Sequence, residues 1–401
     1  MNPKKFILYG DGINDDFPAI QELLDSGISE VYLPTPEKHY AISKTLKIHS
    51  GQTLRLGETT RIMLLPGSSC LMLTNAEKDA HDISVVGGIW DYDNKNQAPN
   101  PAKADPPIWK KTHADGNFDK EVNYDTLGYL GCIMSFDHVE RFSIHNLTLK
   151  NPVTFCLRMA YMKYFTVENI RFDQNFGNPT AENMDGVHID GGCHFGSIRN
   201  VQGTCYDDIV AINANDCYDG PISNIKVDGV FGSDSLRGVR VLSTSSLVTA
   251  ISISNVFGTF YQNCIGLTFF YPKLGRRGKI GHISISNVYG ENAPRRPEYN
   301  KKGPYTMPFI WIDGALDIES VTIDKVYRDE KLGIIPTIGI WEGADVKNLS
   351  ISNVAFKNET GIPLPLIKNE GCIDKLYLYN LNSGKDKILE NTGTIGEVIE
   401  K

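Results

Sequence analysis

From about residue 130 onward, apolar and polar positions alternate in short runs and one phrase keeps returning: a strand-like run, then asparagine, then an aliphatic residue. It reads Phe142-Ser-Ile-His-Asn146-Leu147 at its first occurrence and begins again at Phe165, Gly196, Ile225, Ile251, Ile283, Val321, Leu349 and Leu376, at intervals of 23 to 38 residues. A period of two marks a half-buried strand, because successive side chains point to opposite faces. A second strand precedes each phrase, among them Gly186-Val-His-Ile-Asp190, Asp208-Ile-Val-Ala-Ile212, Gly238-Val-Arg-Val-Leu242 and Phe309-Ile-Trp-Ile-Asp313. Two or more strands in a unit of roughly 25 residues describe the coils of a solenoid, each burying its apolar face against its neighbours. A propeller blade needs about four strands, more than a 23-residue interval holds. The pattern predicts an all-β chain folded as a single parallel β-helix.

The first 60 residues read differently. Asp11-Gly-Ile-Asn-Asp15-Asp16 leads into an amphipathic run through Ala19, Ile20 and Leu24, a helix start with acidic residues ahead of it. A β-helix exposes unpaired strand edges at its end and needs a cover. Residues 1–60 are therefore expected to form a short α-helical N-terminal cap, and residues 61–401 the β-helix as one unit. The stretch 95–125 carries Pro99, Pro101, Pro106 and Pro107 and cannot hold a strand, so it is expected to be a long loop.

Composition narrows the function. The 40 basic and 48 acidic residues leave a net charge of −8, without the basic stripe that nucleic-acid binding needs. No apolar run reaches the length of a membrane-crossing helix. Eight cysteines include no Cys-x-x-Cys pair and no zinc spacing, and several sit inside apolar runs as small core hydrophobes, so no metal or other cofactor is expected. The apolar stretch at residues 6–9 is too short for a signal-peptide core, which points to a cytoplasmic chain or to one whose leader has been removed.

Two acidic motifs carry the candidate chemistry: Asn183-Met184-Asp185-Gly186 and Tyr206-Asp207-Asp208. Asp185 and Asp207 lie 22 residues apart, about one coil, each just ahead of the same strand of its unit. Strands stack about 4.8 Å apart, so Asp185, Asp207 and Asp208 should converge on one face. Crowded like charges raise at least one carboxyl pKa, which suits a general acid beside a general base. Strand alternation puts Arg158, His188 and Arg240 on the outer face near them, where they would line a cleft floor. Trp311 lies in a later coil, where an aromatic platform could stack on a sugar.

The order Asp11-Gly-x-x-Asp15-Asp16-x-x-Ala19-Ile20-Gln21, then Asn183-x-Asp185-Gly186, then Asp207-Asp208-x-x-Ala211-Ile212-Asn213 resembles glycoside hydrolase family 28, the polygalacturonase-like pectinases. The resemblance spans nearly the whole chain and implies a right-handed parallel β-helix. It also implies an inverting hydrolysis in which Asp207 is the general acid and Asp185 with Asp208 activates water. Asn183, His188, Arg158, Arg237, Arg240 and Trp311 are then the expected substrate contacts, and the partner is a poly- or oligosaccharide of pectin type or otherwise containing uronic acid. The family's Gly-His-Gly and Arg-Ile-Lys motifs have no counterpart: the strands at those places read Leu236-Arg237-Gly238-Val239-Arg240 and Ile265-Gly266-Leu267. A β-helix lyase or epimerase acting on uronates, with Arg240 or His188 as its base, and a non-catalytic carbohydrate-binding β-helix are the alternatives.

Overall fold

The computed structural model describes residues 7–100, 131–270, 275–294 and 307–400. Most of the proline-rich stretch 95–125, from residue 101 onward, lies outside them. The chain is a parallel β-helix whose strands form three ladders. One runs from Glu30–Leu33 through Thr53–Leu56, Ala80–Val86 and each repeated phrase to Thr394–Glu400. A second carries Tyr40–Ile42, Arg61–Leu64 and Ile89–Asp91 onward. The third holds Leu157–Ala160, Val187–Ile189, Asp208–Asn213, residues 237–242 and 263–268, and Ile310–Ile312 on successive rungs.

The asparagine of the phrase is where the chain turns from the first ladder to the second. Asn146, Asn169, Asn200, Asn255, Asn287, Asn353 and Asn380 all have φ between 51° and 63°. Asparagine tolerates this left-handed bend better than other residues with a side chain. The bend reverses which parity faces inward: Phe142 and Ile144 are buried before Asn146, Leu147 and Leu149 after it. Neighbouring bends are tied by their amides, Asn169 Nδ2 to Asn146 Oδ1 at 2.9 Å and Asn380 Nδ2 to Asn353 Oδ1 at 2.8 Å. Where the phrase has Gly229 instead, φ is 84° and a Cβ would lie 2.7 Å from Asn200 Oδ1.

The inward residues form one continuous core along the solenoid. The boundary expected at residue 60 falls inside the ladders, because Glu30–Leu33 already pairs in parallel with Thr53–Leu56. Among the described residues the helix Phe17–Asp25 remains as a cover, burying Ile20 and Leu24 against the core. The acidic motif before it is structural. Asp16 accepts the backbone N–H groups of Tyr9 (2.5 Å) and Ala41 (3.0 Å), and Asp15 those of Phe17 and Ser43, which pins the segment to the first coil. All eight cysteines are free thiols, and six are buried. Among the described residues no helix is long and apolar enough to cross a membrane.

Candidate active site

The third ladder places the two acidic motifs against each other. Val187 is in register with Val210 and Val239, so Asp185, Asp208 and Arg237 stand on successive rungs at the start of the same ladder, with Asp207 immediately before Asp208. Gly186 permits this packing, since a Cβ there would meet the Ile209 carbonyl oxygen and the Phe172 ring, each at 2.6 Å. One oxygen from each of Asp185, Asp207 and Asp208 lies within 4.8 Å of the others. This is closer than the roughly 6.5–9.5 Å between carboxyl groups at which a water fits between base and sugar.

Nearly every oxygen of the cluster is engaged. Asp185 Oδ1 accepts the backbone N–H of Asp208 at 2.8 Å, and its Oδ2 faces His188 Nδ1 at 2.7 Å. Asp208 Oδ1 accepts from Arg237 at 3.1 Å, and its Oδ2 lies 2.7 Å from Arg240 Nε. Asp207 Oδ1 accepts from the same Arg237 nitrogen at 2.7 Å. The Asp207 side chain is 12% exposed and those of Asp185 and Asp208 2% and 0%, so Asp207 is the carboxylate that meets solvent. Burial, then the neighbouring Asp208 charge, raises the Asp185 carboxyl to about 6.

Behind Asp185 runs a buried line of charge. His188 Nε2 lies 3.2 Å from Asp190 Oδ1, and Arg158 lies 2.6 Å from Asp190 Oδ2. The His188 ring stacks on Phe155 with centroids 4.1 Å apart, and the Arg158 guanidinium sits 4.4 Å from the Tyr218 ring centre. Burial alone would lower the His188 imidazole, but Asp190 and Asp185 outweigh it and hold the ring well above the usual histidine range. Burial would likewise raise Asp190, yet Arg158 and His188 keep it below its usual value.

His188 and Arg158 do stand in one outer column, in register with each other, but they cannot be the cleft floor expected of them. Both ring nitrogens of His188 and the guanidinium of Arg158 are spent on buried carboxylates, so neither is free to grip a sugar or to take a proton from one. Arg237 and Arg240 lie at the triad as expected, although their charges too are committed, Arg240 additionally facing Asp216 at 3.7 Å. Asn183 is half-buried with φ 55°, two residues before Asp185. Trp311 lies two rungs beyond Arg240, across Gly266.

Sequence reasoning missed three residues. Asp190 shares the outward parity of His188 two residues before it, and that signal could have found it. Asp216 anchors Arg240 from a loop and left no periodic signal. Phe270, 41% exposed, presents its ring 5.8 Å from both Arg237 and Arg240. Among the described residues, two donor sets have the residue types to hold a metal ion: the three aspartates, and buried His188, Asp190 and Cys217. In both, guanidinium, imidazole or backbone N–H groups already occupy most of the carboxylate oxygens.

No protein-family model and no curated protein matches the chain. Solved structures do. The A-module of the mannuronan C-5 epimerase AlgE6 from Azotobacter vinelandii is 10% identical with a TM-score of 0.59, over 98% of this chain and 97% of that one. An exopolygalacturonase from Thermotoga maritima is 16% identical with a TM-score of 0.57, over 92% and 89%. PfbA, a surface adhesin of Streptococcus pneumoniae, is 17% identical with a TM-score of 0.53, over 94% and 89%. An epimerase, a hydrolase and an adhesin thus share this chain's architecture, and what the comparisons establish for it is the parallel β-helix fold.

Proposed function

We propose that the chain is a glycoside hydrolase that cleaves a poly- or oligosaccharide by inversion. The observation that carries this reading is the convergence of Asp185, Asp207 and Asp208 from adjoining rungs onto one outer face, with only Asp207 reaching solvent. Asp207 protonates the leaving oxygen, because it alone of the three can meet a glycosidic bond from outside. Asp185 is the base that holds the water, since a carboxylate oxygen accepting one hydrogen bond keeps a second lone pair. Asp208 is a positioning residue, its two oxygens spent on Arg237 and Arg240.

The short spacing resembles the retaining geometry, yet Asp185 and Asp208 are tied on both oxygens and buried. Neither can advance to bond with an anomeric carbon, whereas a base needs only a free lone pair toward the water. Proton NMR of the first-formed anomer tests the course of the reaction, and retention would sink it. Reducing-end release from a panel of defined glycans tests the activity itself. Products with a new ultraviolet-absorbing double bond would show elimination instead, and binding without products would leave the adhesin-like reading.

A further inference from the structure

The repeated phrase carries a second pattern just past its bend. Two residues after the positive-φ position, one outward column holds Phe231, Phe257, Tyr289, Tyr327, Ala355 and Asn382, each in register with the next. The four rings stack nearly parallel, with centroids 5.4, 5.1 and 4.7 Å apart. At Ala355 the column drops to a methyl group. Among the described residues no ring covers the far face of Tyr327. Asn382 stands across the gap, two strand spacings or roughly 9–10 Å from Tyr327.

This gap is open to solvent. A cavity of about 560 Å³ lies over it, with Tyr327, Asp329, Ala355, Asn358, Asn382 and Lys385 in its walls. Tyr327 itself is 41% exposed. One further ring at the spacing of the stack would lie over Ala355, midway between Tyr327 and Asn382.

The polar walls decide what kind of ring that is. The Gly384 N–H donates to the Asn382 carbonyl oxygen at 3.0 Å, which orients the amide and leaves its own N–H groups to donate. Exposed Asp329 only accepts and exposed Lys385 only donates. A pyranose suits all of them: its apolar C–H face seats on the negative face of an aromatic ring, and its hydroxyls both donate and accept. A bare aromatic ring would meet Tyr327 alone. Asp329 and Asp386 balance Lys357 and Lys385 around the cavity, so the slot favours neither a lone anion nor a lone cation.

We propose that the slot between Tyr327 and Asn382 is an accessory binding site for one hydroxyl-bearing ring of a glycan, on a face separate from the triad. The strand Ile338–Ile340, which follows Tyr327, lies four rungs beyond Asp208–Asn213, roughly 19 Å along the axis. The ligand class follows from the walls of the slot, and no triad residue takes part. A glycan held here is anchored without being cut.

The test titrates the full chain calorimetrically, with Asp207→Asn in place so that glycans stay intact. The probes are neutral oligosaccharides of gluco, manno and galacto configuration, their uronate counterparts, and benzyl alcohol as a bare ring. At least one oligosaccharide should bind. Ala355→Phe, which extends the stack into the slot, should remove that binding event without lowering the melting temperature. Tyr327→Ala should weaken it about 3- to 10-fold, the worth of one aromatic contact, and Tyr327→Phe should preserve it. No oligosaccharide bound, benzyl alcohol bound in place of sugars, or unchanged binding in Ala355→Phe would overturn the proposal. If Ala355→Phe removes binding but the chain with Asp207 intact releases no reducing ends, the hydrolase reading falls and the accessory site stands. If reducing ends appear and Ala355→Phe leaves binding unchanged, the site falls and the hydrolase reading stands.

Discussion

Asp208 illustrates what a buried, doubly paired carboxylate demands of its neighbours. Arg240 lies 2.7 Å from one of its oxygens and Arg237 3.1 Å from the other, with solvent shut out. Removing one partner of such a pair leaves an uncompensated charge and costs about 3–5 kcal/mol. Arg240→Ala should therefore lower the melting temperature and reduce turnover equally on acidic and neutral glycans. A KM rise confined to acidic glycans would instead show that Arg240 reads charge. Asp207→Asn and Asp185→Asn should each cut turnover by roughly 10²–10⁴, the worth of general acid or base assistance. A substrate whose leaving group needs no proton should rescue the first in part and the second not at all.

The titration of Asp185 sets the pH response. Its carboxyl is raised to about 6 by burial first and by the Asp208 charge next, so a base at this position is lost as pH falls through that value. Activity should show an acid limb near pH 6. His188 favours the ionised form of Asp185, so His188→Gln should move the limb to higher pH; an unmoved limb would separate the two residues. Both groups take up protons more readily when folded. Their contribution to stability is present at low pH and is lost as pH rises through about 6 for Asp185 and through the elevated value for His188. The three aspartates were legible from one-coil spacing alone. The commitment of the arginines was not, because a period-two pattern reports that a side chain points outward and says nothing of what meets it there.

At the scale of the element, the repeated phrase specifies both a strand and its end. Asparagine at a φ near 50–60° ends the inward parity of one strand and starts that of the next, and its amide ties the bend to the rung below. Asn200→Val should therefore destabilise the fold by about 1–2 kcal/mol, the strain of a left-handed bend in a residue that resists it. Thermal unfolding checks this, and a β-branched residue tolerated there without loss would show that the bend is set elsewhere. The strands and their pairing partners could be read from sequence, since alternation and interval together fix register. The end of the cap could not. Glu30-Val31-Tyr32-Leu33 alternates like any other strand but lacks the phrase that marks the later coils, so its place in the first rung shows only in its pairing.

The whole molecule is a stack in which each rung meets only the next, so its stability is a sum of neighbour terms and not one indivisible quantity. The candidate site draws on rungs from Arg158 to Trp311, which have paired rungs on both sides. The strand Thr394–Glu400 is exposed along most of its length, and Leu389–Asn391 beside it has no fully buried residue. Amide hydrogen exchange should therefore be slowest in Val187–Ile189 and Asp208–Asn213 and fastest in those last two strands. Uniform protection throughout would mean that the solenoid opens as one unit. With graded protection, warming peels the stack from its exposed rungs inward. The first loss of β-structure should then precede any loss of catalysis, and the triad should be among the last parts of the molecule to come apart.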